Sequence, residues 1–565
     1  MRTKLLSTVA MFGVAAAVAW SGPVAADSNG NGPDFGGHGN NGQHGKGEAR
    51  TATPIKHLVV IFNENRSFDH YFATYPNATN PYGEPAFKAA RNTPQVNNLA
   101  ANPLLLVNNG NYTNTLNDPN EANPFRLDRT QANTADQSHA YTAEEEAYDN
   151  GKADLFPKFT GSGTSGGAGA FGTKGQVMGY FDGNTVTGFW NYAQHFAMSD
   201  NAYTDTYGPS TPGALEVFSG QTNGAKVVVG NASTVSDGAG GLTLNGDTDP
   251  GYDVCSSTTS QVMMTSKNIG DLLNAAHLTW GSFVGGFNLQ TVNANKTTGC
   301  KRSTNSAIVG TVSDYVPHHM WFQYFTSTAN PTHARPSSTE AIGYSTTQDG
   351  KADPANHAYD LNDFYAAVKA GNYPSVSYIK MPAYQDAHPG NSDPLDEQQG
   401  LVTLVNFLEQ QPDWKDTAVI VTYDDSDGWY DHAFATPTSS SFNATADQLN
   451  GPGVCGKGTQ PKGLNGQPVN GRCGPGTRIP FIVISPYAKQ NYVSHERLSQ
   501  ASVVRFIEDN WLQGERLGGG SFDASAGSIT DMFDFSPGKR DDKLFLDPSE
   551  GTVVATAPGK SQGHD

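Results

Sequence analysis

Three long apolar runs stand out in a chain that is otherwise polar and punctuated by turns: 55–62, containing LVVIF, TAVIVTY at 417–423, and a third at 481–485. None alternates apolar with polar residues, so each reads as a strand covered on both faces. Shorter strand-like pieces stand at 226–229, 278–284 and 375–380. Helical spacing appears at 140–148, 189–196 and 214–218, at 396–411 with Leu401, Leu404, Val405 and Leu408, and at 501–512 with Val503, Val504, Ile507 and Trp511. Strands with continuous apolar patterns, alternating with helices, predict an α/β fold: a central, mainly parallel β-sheet sandwiched by helices, with loop-rich insertions.

Polar residues at the ends of these runs carry the candidate chemistry. The first run leads into Glu64, Asn65, Arg66 and Asp69, and 417–423 leads into Asp424 and Asp425. If the two strands are parallel neighbours, their ends form a cage of oxygen donors that repel one another unless a cation sits among them. An EF-hand loop is excluded here, because its spacing would put Tyr423 and Phe434 at ligand positions. In the turn YGPSTPGAL two prolines precede a helical segment, so a hydroxyl, Ser210 or Thr211, is presented at a helix start, where a phosphate is well received. His318 and His319 stand beside one another and a proline, His388 precedes a proline, and His139 follows Asp136 by three residues. Together these groups suggest metal-assisted displacement at phosphorus, in which protonated histidines bind phosphoryl oxygens and supply a proton to the leaving group. A G-x-S-x-G match at 163–167 lacks the strand before and the helix after that a serine-hydrolase elbow needs.

Charge narrows the partners. A formal charge of −19 on 565 residues disfavours nucleic acid and anionic membranes as partners, so an anionic substrate must meet positive charge supplied locally. Arg2 and Lys4 before an apolar run at 5–20, then Val24-Ala25-Ala26, predict a cleaved signal peptide at 1–26 and export to the periplasm or medium. No other segment is long and apolar enough to span a membrane. A Gly/Asn/His-rich linker at 27–52 should be disordered, 53–536 should form one catalytic domain, and 537–565 should be a polar, loosely held tail. Four cysteines without a C-x-x-C suit an oxidising compartment, and the simplest pairing is Cys255–Cys300 with Cys455–Cys473.

The segments KHLVVIFNENRSFDHYF, YGPSTPGAL followed by SGQT, MPAYQDAHPGNSDPLDEQ and VIVTYDDSDGWYDH resemble the signature segments of the bacterial acid phosphatase and phospholipase C family, over roughly 54–515. The resemblance implies an alkaline-phosphatase-like fold, hydrolysis of phosphate esters and a metal at the sheet's C-terminal edge. By matching position it implies Ser210 as nucleophile, with Thr211 as runner-up, and Glu64, Asn65, Asp424 and Asp425, joined by Ser210, as ligands of a divalent ion (Mg, Mn, Ca, Zn or Fe). His139, His318, His319 and His388 match the phosphate-binding and proton-donating positions, while His432 fits a structural role equally well. A twin-arginine signal, common in the family, is missing. The STPGAL context resembles the acid phosphatase branch, so the expected activity is a secreted acid phosphatase acting on phosphomonoesters through a phosphoserine. The alternatives are a phospholipase C in the same fold and a non-enzymatic metal-binding surface protein. Oligomeric state is left open.

Overall fold

Strand β1, His57–Asn63, is buried from Leu58 onward and occupies the middle of an eight-stranded sheet, as its unbroken apolar pattern requires. The other strands are β2 (Ala197–Ser199), β3 (Trp280–Val284), β4 (Ala358–Asp360), β5 (Val376–Lys380), β6 (Thr417–Tyr423), β7 (Phe481–Ile484) and β8 (Tyr492–Ser494). Their order is β4-β3-β5-β1-β6-β7-β2-β8. All run the same way except β7, which is antiparallel to both β6 and β2. The expected mainly parallel sheet is therefore present. The apolar run of β7 carries no signal of its direction, and β2 and β8, three residues each, are too short to be read from periodicity.

This computed structural model describes residues 50–347, 349–538 and 541–556, all within the unit Glu48–Asp565. The expected signal peptide, most of the linker and the last residues of the tail lie outside the described residues. Among the described residues no helix is long and apolar enough to cross a membrane.

Among the helices are α1 (Tyr141–Tyr148), α2 (Thr187–His195), α3 (Ser210–Ser219), α4 (Pro394–Glu409) and α5 (Ala501–Trp511). Side chains of β1 alternate between two helix layers. Phe62 meets Trp321 edge-on at 4.9 Å, and Trp321 in turn lies 6.2 Å from Phe218 of α3. Asn63, on the opposite face, donates to Glu397 of α4 at 2.7 Å. Glu397 also accepts from the Tyr71 and Tyr423 hydroxyls at 2.6 and 2.5 Å, so one buried carboxyl ties α4 to the ends of both central strands. The two expected disulfides, Cys255–Cys300 and Cys455–Cys473, are formed.

The end of the chain departs from expectation. Residues 541–556 are docked: Leu546 is fully buried, its backbone pairs with the Asn406 side chain at 2.8 and 3.2 Å, and the Leu544 N–H donates to Glu409 Oε1 at 2.8 Å. Two alternating leucines in a polar context are enough to anchor it, a pattern too short to stand out in the sequence.

Burial pushes the Glu409 carboxyl up to about 8 from its ordinary 4.5. The folded chain therefore holds a proton that the unfolded chain has released between those values, so stability from this group is complete at low pH and lost as pH rises through about 8. Glu409→Gln should flatten the fall in Tm between about pH 5 and pH 8 relative to the parent. Parallel melting curves for the two proteins across that range would contradict the assignment.

Candidate active site

Because β1 and β6 are parallel and in register, with Asn63 opposite Tyr423, the residues beyond them leave the sheet at the same level. The Asn65 N–H donates to Asp424 Oδ1 at 2.9 Å. Asn65 turns away through a left-handed φ of +61°, a conformation asparagine tolerates better than most residues. From the other side comes the turn before α3. Gly208, at φ +122°, donates its N–H to Glu144 of α1 at 2.9 Å, and Ser210 begins the helix after Pro209. Gly213 lets α3 approach β6: a Cβ there would lie 1.9 Å from the Asp424 carbonyl oxygen.

The result is a crowded set of oxygens around one hydroxyl. Ser210 Oγ lies 2.9 Å from Glu64 Oε2, 3.2 Å from Asp425 Oδ2 and 3.3 Å from Asn65 Oδ1. A hydroxyl has one proton, so at most one of these contacts is a donated hydrogen bond at a time. The other oxygens are left without that proton, and Asp424 Oδ2, also buried, has no hydrogen-bond partner among the described residues. Burial, then Glu64, push the Asp424 carboxyl well above the usual carboxylate range; burial, then Glu144 and Glu64, do the same to Asp425. Burial works the same way on Glu64, but His319 and Lys380 outweigh it and hold that carboxyl well below its ordinary value. Three oxygens within 3.3 Å of one hydroxyl, beside a buried carboxylate oxygen with no partner among the described residues, suit a hard divalent cation. Glu64, Asn65, Asp424 and Asp425 are the residues that would hold it, and the Glu64, His319 and Asp386 side chains also lie close enough together to hold one.

Four histidines line up beside this cage. Ring centroids are 4.6 Å apart for His318 and His319, 6.3 Å for His319 and His388, and 6.4 Å for His388 and His139. His319 sits between Glu64 Oε2 at 3.4 Å and Asp386 Oδ2 at 3.3 Å, and burial holds its imidazole well below the usual value. His318 Nδ1 faces Asp249 at 3.4 Å, which raises its imidazole against the effect of burial. His388 Nδ1 contacts the Pro389 carbonyl at 2.7 Å. His139 contacts the Gln137 carbonyl at 2.9 Å and Asp427 at 3.3 Å; burial lowers it, but Asp427 and Asp136 win and bring it up to about 9.

All nine residues singled out from the sequence thus fall in one cluster. The two open choices are placed differently. The Thr211 hydroxyl donates to Asp247 at 2.9 Å rather than to the cage oxygens. His432 contacts Asp69 at 2.6 Å in a buried network in which Arg478 also pairs with Asp69 at 3.2 Å and Asp431 at 3.0 Å. Sequence reasoning missed Lys380, which pairs with Glu64, although it ends β5 as Asn63 ends β1. It missed Asp427, whose Oδ1 accepts from Asn65 Nδ2 at 3.1 Å and so turns the amide oxygen toward Ser210. It missed Asp386, and Glu144, which ties Gly208 to Ser426 at 2.9 Å. Asp386 and Asp427 stand inside MPAYQDAHPGNSDPLDEQ and VIVTYDDSDGWYDH, but their partners come from distant segments.

Residues 55–512, a span containing every member of this cluster, match the Phosphoesterase family. The chain belongs to that family. The phosphoesterase is 24% identical to the non-hemolytic phospholipase C of Pseudomonas aeruginosa over 85% of its own length and 57% of the relative's. It is 25% identical to the non-hemolytic phospholipase C of Burkholderia pseudomallei, over 81% and 55%. The chain therefore spans little more than half the length of these two relatives. Against phospholipase C A of Mycobacterium tuberculosis the identity is 24%, over 86% of this chain and 76% of the relative.

In an unconstrained helix interior Gly→Ala stabilises by about 1 kcal/mol. For Gly213→Ala in this chain the sign should reverse, with a lower Tm, because the added carbon meets the Asp424 carbonyl. A raised Tm would mean that the approach of α3 to β6 is not tight.

Proposed function

We propose that the chain hydrolyses phosphate esters with Ser210 as nucleophile, and that its substrate is the phosphodiester of a phospholipid, cleaved as a phospholipase C cleaves it. The observation that carries the chemistry is the Ser210 hydroxyl at the start of α3, within 3.3 Å of three oxygens contributed by Glu64, Asn65 and Asp425. The names of the relatives favour the phospholipid diester over the phosphomonoester expected from the STPGAL context. Two disulfides support a site of action outside the cytoplasm.

Ser210 Oγ would attack phosphorus, forming an O–P bond while the bond from phosphorus to the glycerol oxygen breaks. Its proton leaves to a carboxylate within hydrogen-bond reach. A protonated histidine of the row formed by His139, His388, His319 and His318 gives a proton to the departing diacylglycerol, and the others bind phosphoryl oxygens. Water then cleaves the phosphoserine, releasing the phosphorylated headgroup and restoring the hydroxyl. A divalent cation held by Glu64, Asn65, Asp424 and Asp425 would neutralise phosphate charge and ease loss of the Ser210 proton, and the all-oxygen donor set suits Mg, Mn or Ca.

Ser210→Ala should reduce kcat/KM on a phosphorylcholine diester by at least about 10³-fold. Retained turnover would remove the nucleophile assignment and leave a non-enzymatic role open. A strong preference for p-nitrophenyl phosphate over p-nitrophenyl phosphorylcholine would instead return the acid phosphatase reading.

Chelation should abolish turnover and also lower Tm, since a ligand that binds only the folded state stabilises it. Adding divalent ions back should raise Tm in the parent but not in Asp424→Asn. Equal thermal responses in the two proteins would argue against a cation held by Asp424.

A further inference from the structure

Four large apolar side chains that face solvent lie within thirteen residues of one another: Leu104, Val107, Tyr112 and Leu116, exposed by 64, 67, 52 and 60%. Other strongly exposed apolar residues, such as Val228, Val254 and Val553, are scattered along the chain. Leu105 and Leu106, between the first two, turn inward and pack on a cluster that includes Tyr141, Tyr207 and Tyr430. The stretch is thus a seated ridge that keeps four of its six large apolar groups outside.

Two further features bear on what covers it. Residues 92–117 contain no charged side chain, in a chain whose formal charge is −19. The ridge is also fastened to the segments that build the candidate site. Asn109 Nδ2 donates to the Tyr430 hydroxyl at 2.9 Å, five residues beyond Asp425. Tyr207, in the cluster beneath, opens the turn that carries Ser210.

We propose that the ridge at 104–116 is the surface by which the protein sits on a zwitterionic phospholipid bilayer, an inference that rests on the phospholipase C reading. An apolar, tyrosine- and asparagine-bearing stretch that carries no charge of its own, with Asp154 the carboxylate held against it by Asn114 at 3.1 Å, suits the interface of a bilayer without net charge, where the apolar groups enter the acyl boundary and the amides stay among headgroups. The acidic remainder of the molecule would be repelled by an anionic bilayer, and two copies meeting through this ridge would bring two strongly negative bodies together. A lipid-facing ridge tied to the Asp425 and Ser210 loops sets the site close to the membrane, where its substrate lies.

The test uses flotation with phosphatidylcholine vesicles, in a Ser210→Ala background so that the lipid survives. The double variants Leu104→Asp/Val107→Asp and Tyr112→Ser/Leu116→Ser should each lose vesicle association, the first by about tenfold or more. With Ser210 intact, both should keep the parental Tm and hydrolyse soluble p-nitrophenyl phosphorylcholine within about twofold of the parent, while hydrolysis of vesicle lipid falls. The proposal is overturned if neither variant loses vesicle association, if soluble turnover falls in step with it, or if light scattering finds a dimer that the variants dissociate. Ridge-dependent vesicle binding without any phospholipid turnover would leave the surface standing and refute the phospholipase reading alone.

Discussion

Repulsion among carboxylates is the constraint around which this protein is arranged. Glu64, Asp424 and Asp425 are all buried, and Glu64 and Asp425 lie within hydrogen-bond distance of a single hydroxyl. Left alone such groups separate or take up protons. Several independent parts of the fold prevent separation. The register of β1 against β6 fixes two of the strand ends, Gly213 admits α3 against the third side, and Lys380 stands against Glu64 as a counter-charge, with His319 beside it. Non-glycine residues with positive φ gather at the same place, Asn65 at +61°, Ala387 at +85° and Asp427 at +56°. Backbone strain of this kind persists only where the surroundings over-determine it.

The histidines extend that design outward. His319 is 4% exposed between two carboxylates, whereas His318 and His139 are 25% and 11% exposed and each leans on an acidic partner. A phosphate entering the site would meet imidazoles whose orientations are already fixed by Asp249, Asp386, Asp427 and two backbone carbonyls. Positive charge is thus supplied locally in an acidic protein, with His139 and His318 each backed by a carboxylate.

What could be read in the sequence was what is local. Continuous apolar runs gave the central strands, and the abrupt change to oxygen-bearing residues at their ends gave Glu64, Asn65, Asp424 and Asp425. The prolines and small residues of YGPSTPGAL placed Ser210 at a helix start. The choice between Ser210 and Thr211 was not legible, because it depends on Asp247, thirty-six residues away, capturing the threonine hydroxyl. For the same reason Asp427 and Glu144 escaped notice: an acidic residue in a loop or on a helix says nothing about which amide or turn it will hold. Strand direction escaped as well, since buried strands of either polarity show the same pattern.

The reversal of β7 has a consequence of its own. A parallel strand offers the functional edge only the residues beyond its end, but an antiparallel one offers the residues that precede it. Because β7 runs backwards, its entry lies where β6 exits, with Ile482 opposite Val421. Arg478, just ahead of β7, is thereby inserted beneath the loop after Asp425, its guanidinium shared between Asp69 and Asp431 and laid over the Phe68 ring at 4.3 Å. One inverted strand thus works as a delivery route, bringing a permanent cation to the Asp69–Asp431 network from the side that its parallel neighbours reach only from their exits.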